Sequence, residues 1–203
     1  MSPSFNRIMS TDRSVATRGG RALGETRLFH FSEDPSIERF EPRPVLVPAE
    51  RGPGREWLNG PLVWAIDEAH QPLYFFPREC PRILLWRTPG TTQADAARWW
   101  RRGDHRMLAH IEAAWLERLR STIVYRYAFD PEPFDSIEDV GMWVSHTPVR
   151  PTAMDAITDL PAALAGADVG LIVLPDLLSL RGVWQSTLYA SGTRLRNAAG
   201  WTN

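Results

Sequence analysis

The chain has 203 residues, a net charge of −1, 43% hydrophobic and 10% aromatic content. That balance is enough for a sizeable core, and it argues against nucleic acid or an anionic membrane drawn in by overall charge. All 23 basic residues are arginine, which excludes a Schiff-base lysine, a phosphate-loop lysine and a kinase-type lysine.

Cys80 is the single cysteine, so an intramolecular disulfide and a cysteine-rich zinc centre are excluded as well. No apolar run approaches a membrane span, and the N-terminus lacks the apolar core of a secretory signal. A cytoplasmic location without membrane attachment is expected.

Residues 1–26 are rich in Ser, Arg, Gly and Thr and read as a disordered leader, followed by one domain over 27–203. Leu28 to Ser32 predicts a strand. Asp34-Pro35 looks like a helix N-cap with proline at the first helical position, opening a short turn through Ile37 and Phe40. From Glu41 to Gly60, repeated Pro and Gly predict a long binding or lid loop. Leu62 to Ile66 predicts a second strand, Pro72 a short helical piece, and Arg82 to Trp86 a third strand.

Helices are expected over Gln93–Arg102 and Asp104–Arg120. In the second, Met107, Leu108, Ile111, Ala114, Trp115 and Leu119 recur at helical spacing, with Asp104 as N-cap. Strands are expected over Ser121–Phe129, Trp143–Ser145, Leu171–Leu174 and Thr193–Arg196, with short helices near Leu177 and Val183. The mixture defines an α+β class, too broken by proline for a doubly wound sheet.

Several familiar chemistries fail. Gly52-Pro53-Gly54 has Trp57 where a dinucleotide fingerprint needs its third glycine, and no GxSxG elbow occurs. On the expected helix His105 and His110 point about 140° apart. His70 and His146 have no ligand-spaced partner, so no metal is expected.

His30 stands out by its neighbours. Strand alternation places it with Ser32 on one face and Phe29 with Phe31 on the other; a histidine simply bonded to backbone is the competing reading. Trp64 and Tyr74 suit a core or an aromatic pocket. Asp135, Glu138 and Asp139 form either a solvated acidic loop or a functional one.

Taken together, Leu28-Phe29-His30-Phe31-Ser32, Val63-Trp64-Ala65-Ile66 with Pro72-Leu73-Tyr74, and Ile123-Val124-Tyr125 through Pro133-Phe134-Asp135 to Trp143-Val144-Ser145-His146-Thr147-Pro148 resemble segments of the ADP-ribosyltransferase superfamily. The small rifampin-inactivating transferases are nearest. Serine stands for the threonine of the first family motif, and Trp64 for the tyrosine of the second. The chain is also similar to uncharacterised bacterial proteins that share its His30–Pro35, Val63–Glu68 and Arg194–Ala198 segments.

The resemblance implies an ADP-ribosyltransferase-like pair of packed, twisted sheets with flanking helices and NAD in the cleft. His30 would hold a ribose hydroxyl, helped by Ser32, and Trp64 with Tyr74 would stack on nicotinamide. Asp135, Glu138 or Asp139 would stabilise the cationic ribose as nicotinamide leaves, an electrostatic contact worth about 3–4 kcal/mol. Arg43, Arg194 or Arg196 would pair with the pyrophosphate.

The resemblance leaves the acceptor open. The alternatives are a catalytically degenerate nucleotide-binding module, favoured by the Tyr-to-Trp change, and a homodimeric interaction protein that uses some of the nine tryptophans.

Overall fold

A computed structural model describes residues 26–48, 50–100 and 103–201. Its contacts divide the chain into two compact units. The first comprises the described residues up to Gln71 together with Arg126–Asp155; the second comprises Pro72–Tyr125 and the described residues from Ala156 onward. The expected leader lies outside the described residues apart from Thr26.

A six-stranded sheet holds β1 (Leu28–Ser32), β2 (Val63–Asp67), β5 (Val124–Phe129), β6 (Asp135–Ser136), β7 (Met142–Ser145) and β8 (Ala153–Ile157), in the order β6-β7-β2-β1-β5-β8; all of it belongs to the first unit except the start of β5 and the end of β8. β1 runs antiparallel to β2 with Leu28 opposite Asp67 and Phe29 opposite Ile66. β2 runs antiparallel to β7 with Trp64 opposite Val144, and β6 adds Asp135 opposite Val144.

Alternation then sorts the side chains. Leu28, His30, Ala65 and Asp67 leave one face; Phe29, Phe31, Trp64, Ile66, Val144 and Asp135 leave the other. Leu58, Leu62 and Val144 form a buried cluster against which Trp64 and Ile137 pack. On the His30 face Phe40 meets the rings of Tyr127 and Phe129 edge-on, and the Tyr127 hydroxyl donates to Asp34 O at 2.6 Å.

The second unit carries a four-stranded sheet, β10 (Tyr189–Thr193), β3 (Arg82–Trp86), β4 (Met107–Glu112) and β9 (Val169–Leu174), in that order. β4 and β9 are parallel and the other pairs antiparallel. Ile83 and Leu85 of β3 join Leu177, Leu180, Val183 and Leu188 in its core, walled by Trp99, Trp100, Trp184 and Trp201.

Its helices are short and capped. In α1 (Gln93–Trp99) the Thr92 hydroxyl accepts from Asp95 N, and in α3 (Leu160–Gly166) the Asp159 carboxylate accepts from Ala162 N. The third, α2, covers Leu116–Ser121.

Three expectations are corrected. The helix placed over Asp104–Arg120 is β4 followed by a 3-10 turn and α2. All six residues of β4 are buried, so its apolar run reflects a strand covered on both faces, a pattern that mimics helical spacing over six residues. Asp34 opens no helix; its carboxylate accepts from the main chain and hydroxyl of Ser36, an Asx turn. The last strand ends at Thr193, because Arg194 takes a left-handed φ of 56° and starts a 3-10 turn over Leu195–Asn197.

Candidate functional site

The residues singled out by sequence fall into both units. His30, Ser32, Arg43, Trp64, Asp135, Glu138 and Asp139 belong to the first, while Tyr74, Arg194 and Arg196 belong to the second.

His30 is half-buried in β1. Its Nδ1 lies 2.8 Å from the main-chain oxygen of Trp64, and because a carbonyl only accepts, Nδ1 carries the proton. The other side of the ring packs on Phe40, centroids 4.7 Å apart. Ser32 is buried and its hydroxyl accepts from Asp34 N at 3.1 Å, so it also fixes the turn that follows β1.

The strand register brings His30 to the main chain of Trp64 but not to its indole, which leaves the opposite face. The indole Nε1 is buried without an acceptor, and the Arg51 guanidinium stands 5.9 Å above the ring. Exposed Asp135 shares the Trp64 face. Arg43 is exposed and pairs through its backbone with Leu62.

Glu138 and Asp139 sit in a tight reversal between β6 and β7. Glu138, Val140 and Gly141 take left-handed φ values of 54°, 48° and 67°. A β-branched residue such as Val140 is strained there.

That reversal closes on a pair sequence reasoning missed. Asp67 Oδ1 accepts from His70 N and lies 2.8 Å from His70 Nδ1; Asp67 N donates to Gly141 O, also at 2.8 Å. Both side chains are 28% exposed. The available signal was the carboxylate three residues before the histidine, at the end of a strand. Among the described residues no group of three or more His, Cys, Asp or Glu is placed to hold a metal.

In the second unit Tyr74 ends a 3-10 turn beside the Arg82 guanidinium, and burial pushes its hydroxyl pKa up, so the phenol stays neutral. Arg194 and Arg196 are 3.3 and 2.9 Å from the Glu79 carboxylate. The Asn197 amide, aided by both arginines against partial desolvation, holds that carboxyl below its usual range. Two of the three arginines expected on a pyrophosphate are thus engaged within the unit.

The chain belongs to DUF6886, a family of unknown function whose model matches residues 29–198. No curated protein and no solved structure matches it. Among the described residues no helix is long and apolar enough to cross a membrane.

Proposed function

We propose that the protein is an ADP-ribosyltransferase-like enzyme that takes NAD at the His30 face of the first unit and acts in the cytoplasm. The observation that carries this reading is the fixed imidazole of His30. Its proton is committed to Trp64 O, so ring orientation and tautomer are set before any ligand arrives. A ribose hydroxyl is the natural partner for a ring held that way, and the neighbouring Ser32 turn stiffens the strand end beside it. Glu138 and Asp139, in the reversal that reaches Asp67 through Gly141, supply negative charge for a cationic ribose.

The test is a calorimetric NAD titration of the wild type and His30→Ala, followed by an assay for released nicotinamide. Heat that vanishes in the variant supports the reading. No heat with the wild type at millimolar NAD removes it and leaves the interaction protein. The second reading, a nucleotide-binding module without chemistry, is favoured by the Trp64 indole leaving the face opposite His30. Binding without nicotinamide release would select it.

A further inference from the structure

We propose that the second unit holds an oxyanion site in which the guanidinium groups of Arg82 and Arg194 jointly bind a phosphate group, free or carried on a small molecule. The site is independent of the NAD reading above.

Arg82 opens β3 and is 3% exposed. A guanidinium keeps its charge at neutral pH, and a buried charge calls for a counter-charge. Among the described residues Arg82 makes no ion pair. Its Nε and one terminal nitrogen donate to the carbonyls of Leu73 and Cys80 alone. The Tyr74 phenol, with its ring centre 5.8 Å from the guanidinium carbon, is kept neutral by burial. The buried Glu112 carboxylate accepts from Ala199 N instead, and both oxygens of Glu79 are taken by Arg194, Arg196 and Asn197.

The other terminal nitrogen of Arg82 is therefore left without an acceptor. It is not sealed in. Among the described residues only the indole nitrogens of Trp64 and Trp100 are fully buried without a partner. The free nitrogen of Arg82 thus meets solvent, through an opening as narrow as its 3% exposure allows.

Arg194 reaches the same place through the strand register. Thr193 lies opposite Arg82, and Arg194 follows it with a left-handed φ of 56°. An arginine in that conformation is strained, and strain of this kind collects at ligand clamps. Both of its contacts run through Nε, to Arg78 O at 3.1 Å and to the Glu79 carboxylate at 3.3 Å. Its two terminal nitrogens keep no acceptor. Burial lowers the Arg82 pKa to about 10, and the Arg194 charge pulls the same way, as neighbouring cations do.

The local charge selects the ligand. Arg78, Arg82, Arg194 and Arg196 gather around one carboxylate, that of Glu79. Such an excess suits a doubly charged phosphate better than a singly charged carboxylate, and guanidinium donors match phosphate oxygens in geometry.

The experiment titrates the full chain with inorganic phosphate at constant ionic strength, following the thermal midpoint and the arginine Nε–H signals by NMR. The midpoint should rise and saturate, as for a ligand that binds only the folded state. The Arg82 Nε–H signal should move over the same concentration range. Arg194→Gly suits the left-handed backbone and is expected to fold, but to bind phosphate about tenfold or more weakly.

Phenyl phosphate serves as the second probe. Saturation by both probes assigns a phosphate carried on a small molecule, and saturation by inorganic phosphate alone assigns the free ion; either supports the site. Acetate that matches phosphate in affinity overturns the choice of phosphate. A midpoint that does not saturate, an Arg82 signal that stays still, or an unchanged affinity in Arg194→Gly overturns the site itself.

Discussion

Gly141 passes so close to His70 that no side chain fits between them: a Cβ there would meet Nδ1 at 2.4 Å and the Asp67 carboxyl carbon at 2.6 Å. Its φ of 67° also lies where L-residues are strained. Gly141→Ala is therefore expected to lose about 1–2 kcal/mol from the backbone alone. It should also push the imidazole off the carboxylate. Urea unfolding checks the first effect, and a changed His70 nitrogen spectrum checks the second; a variant indistinguishable from wild type in both would refute the contact.

His110 makes stability depend on pH. It is buried in β4, and burial drives its pKa down to about 4 from 6.5, partly offset by its bond to Ile83 O at 3.2 Å. The unfolded chain therefore takes up this proton first. The contribution is complete above about pH 6.5 and is lost as pH falls towards 4, amounting to about 3 kcal/mol. Urea unfolding at pH 7 and at pH 4 should show the difference. His110→Gln, which cannot charge, should shrink it.

Arg82 is 3% exposed, and burial lowers its pKa to about 10. Its Nε donates to Leu73 O at 2.9 Å and one terminal nitrogen to Cys80 O at 3.1 Å, with the Phe76 ring 5.0 Å below. Arg82→Met keeps the apolar stem but strands two carbonyls. A loss of about 2–4 kcal/mol is expected from thermal unfolding.

Cys80 has no exposed surface, and burial pushes its thiol pKa up to about 12, against the pull of Arg82. At pH 8 the native protein should resist a disulfide reagent, because the thiolate is the nucleophile. In urea one thiol per chain should react. Rapid native labelling would show that this part of the second unit opens readily.

Much of the architecture is written in local pattern. Arg82–Trp86 reads as a strand because five consecutive residues between prolines and a threonine turn leave no room for a helix, and the structure has β3 there. Leu28–Ser32 is legible from its alternation, and the strand read over Leu62–Ile66 lies one residue later, over Val63–Asp67. Met107–Glu112 is not, since a strand buried on both faces shows no alternation. Ala153–Ile157 is missed because its apolar residues do not alternate with polar ones, and four of its five residues are exposed.

The site follows the same division. His30 announces itself through strand alternation, and the competing expectation of a backbone bond also holds, to Trp64 O. Asp67 and His70 meet through local bonds across three residues, and the reversal at Glu138–Gly141 packs against them. Nothing in five residues of that reversal except one glycine advertises three left-handed backbone conformations.

The exposed strand β8 closes one end of the six-stranded sheet, so its outer row of amides and carbonyls is available for a further strand. Asp155 stands in the middle of it, tied by two bonds of 3.0 and 3.1 Å to the Arg126 guanidinium. An incoming chain would have to lie against that anchored charge. Asp155 thus acts as a gatekeeper against intermolecular sheet growth at this edge.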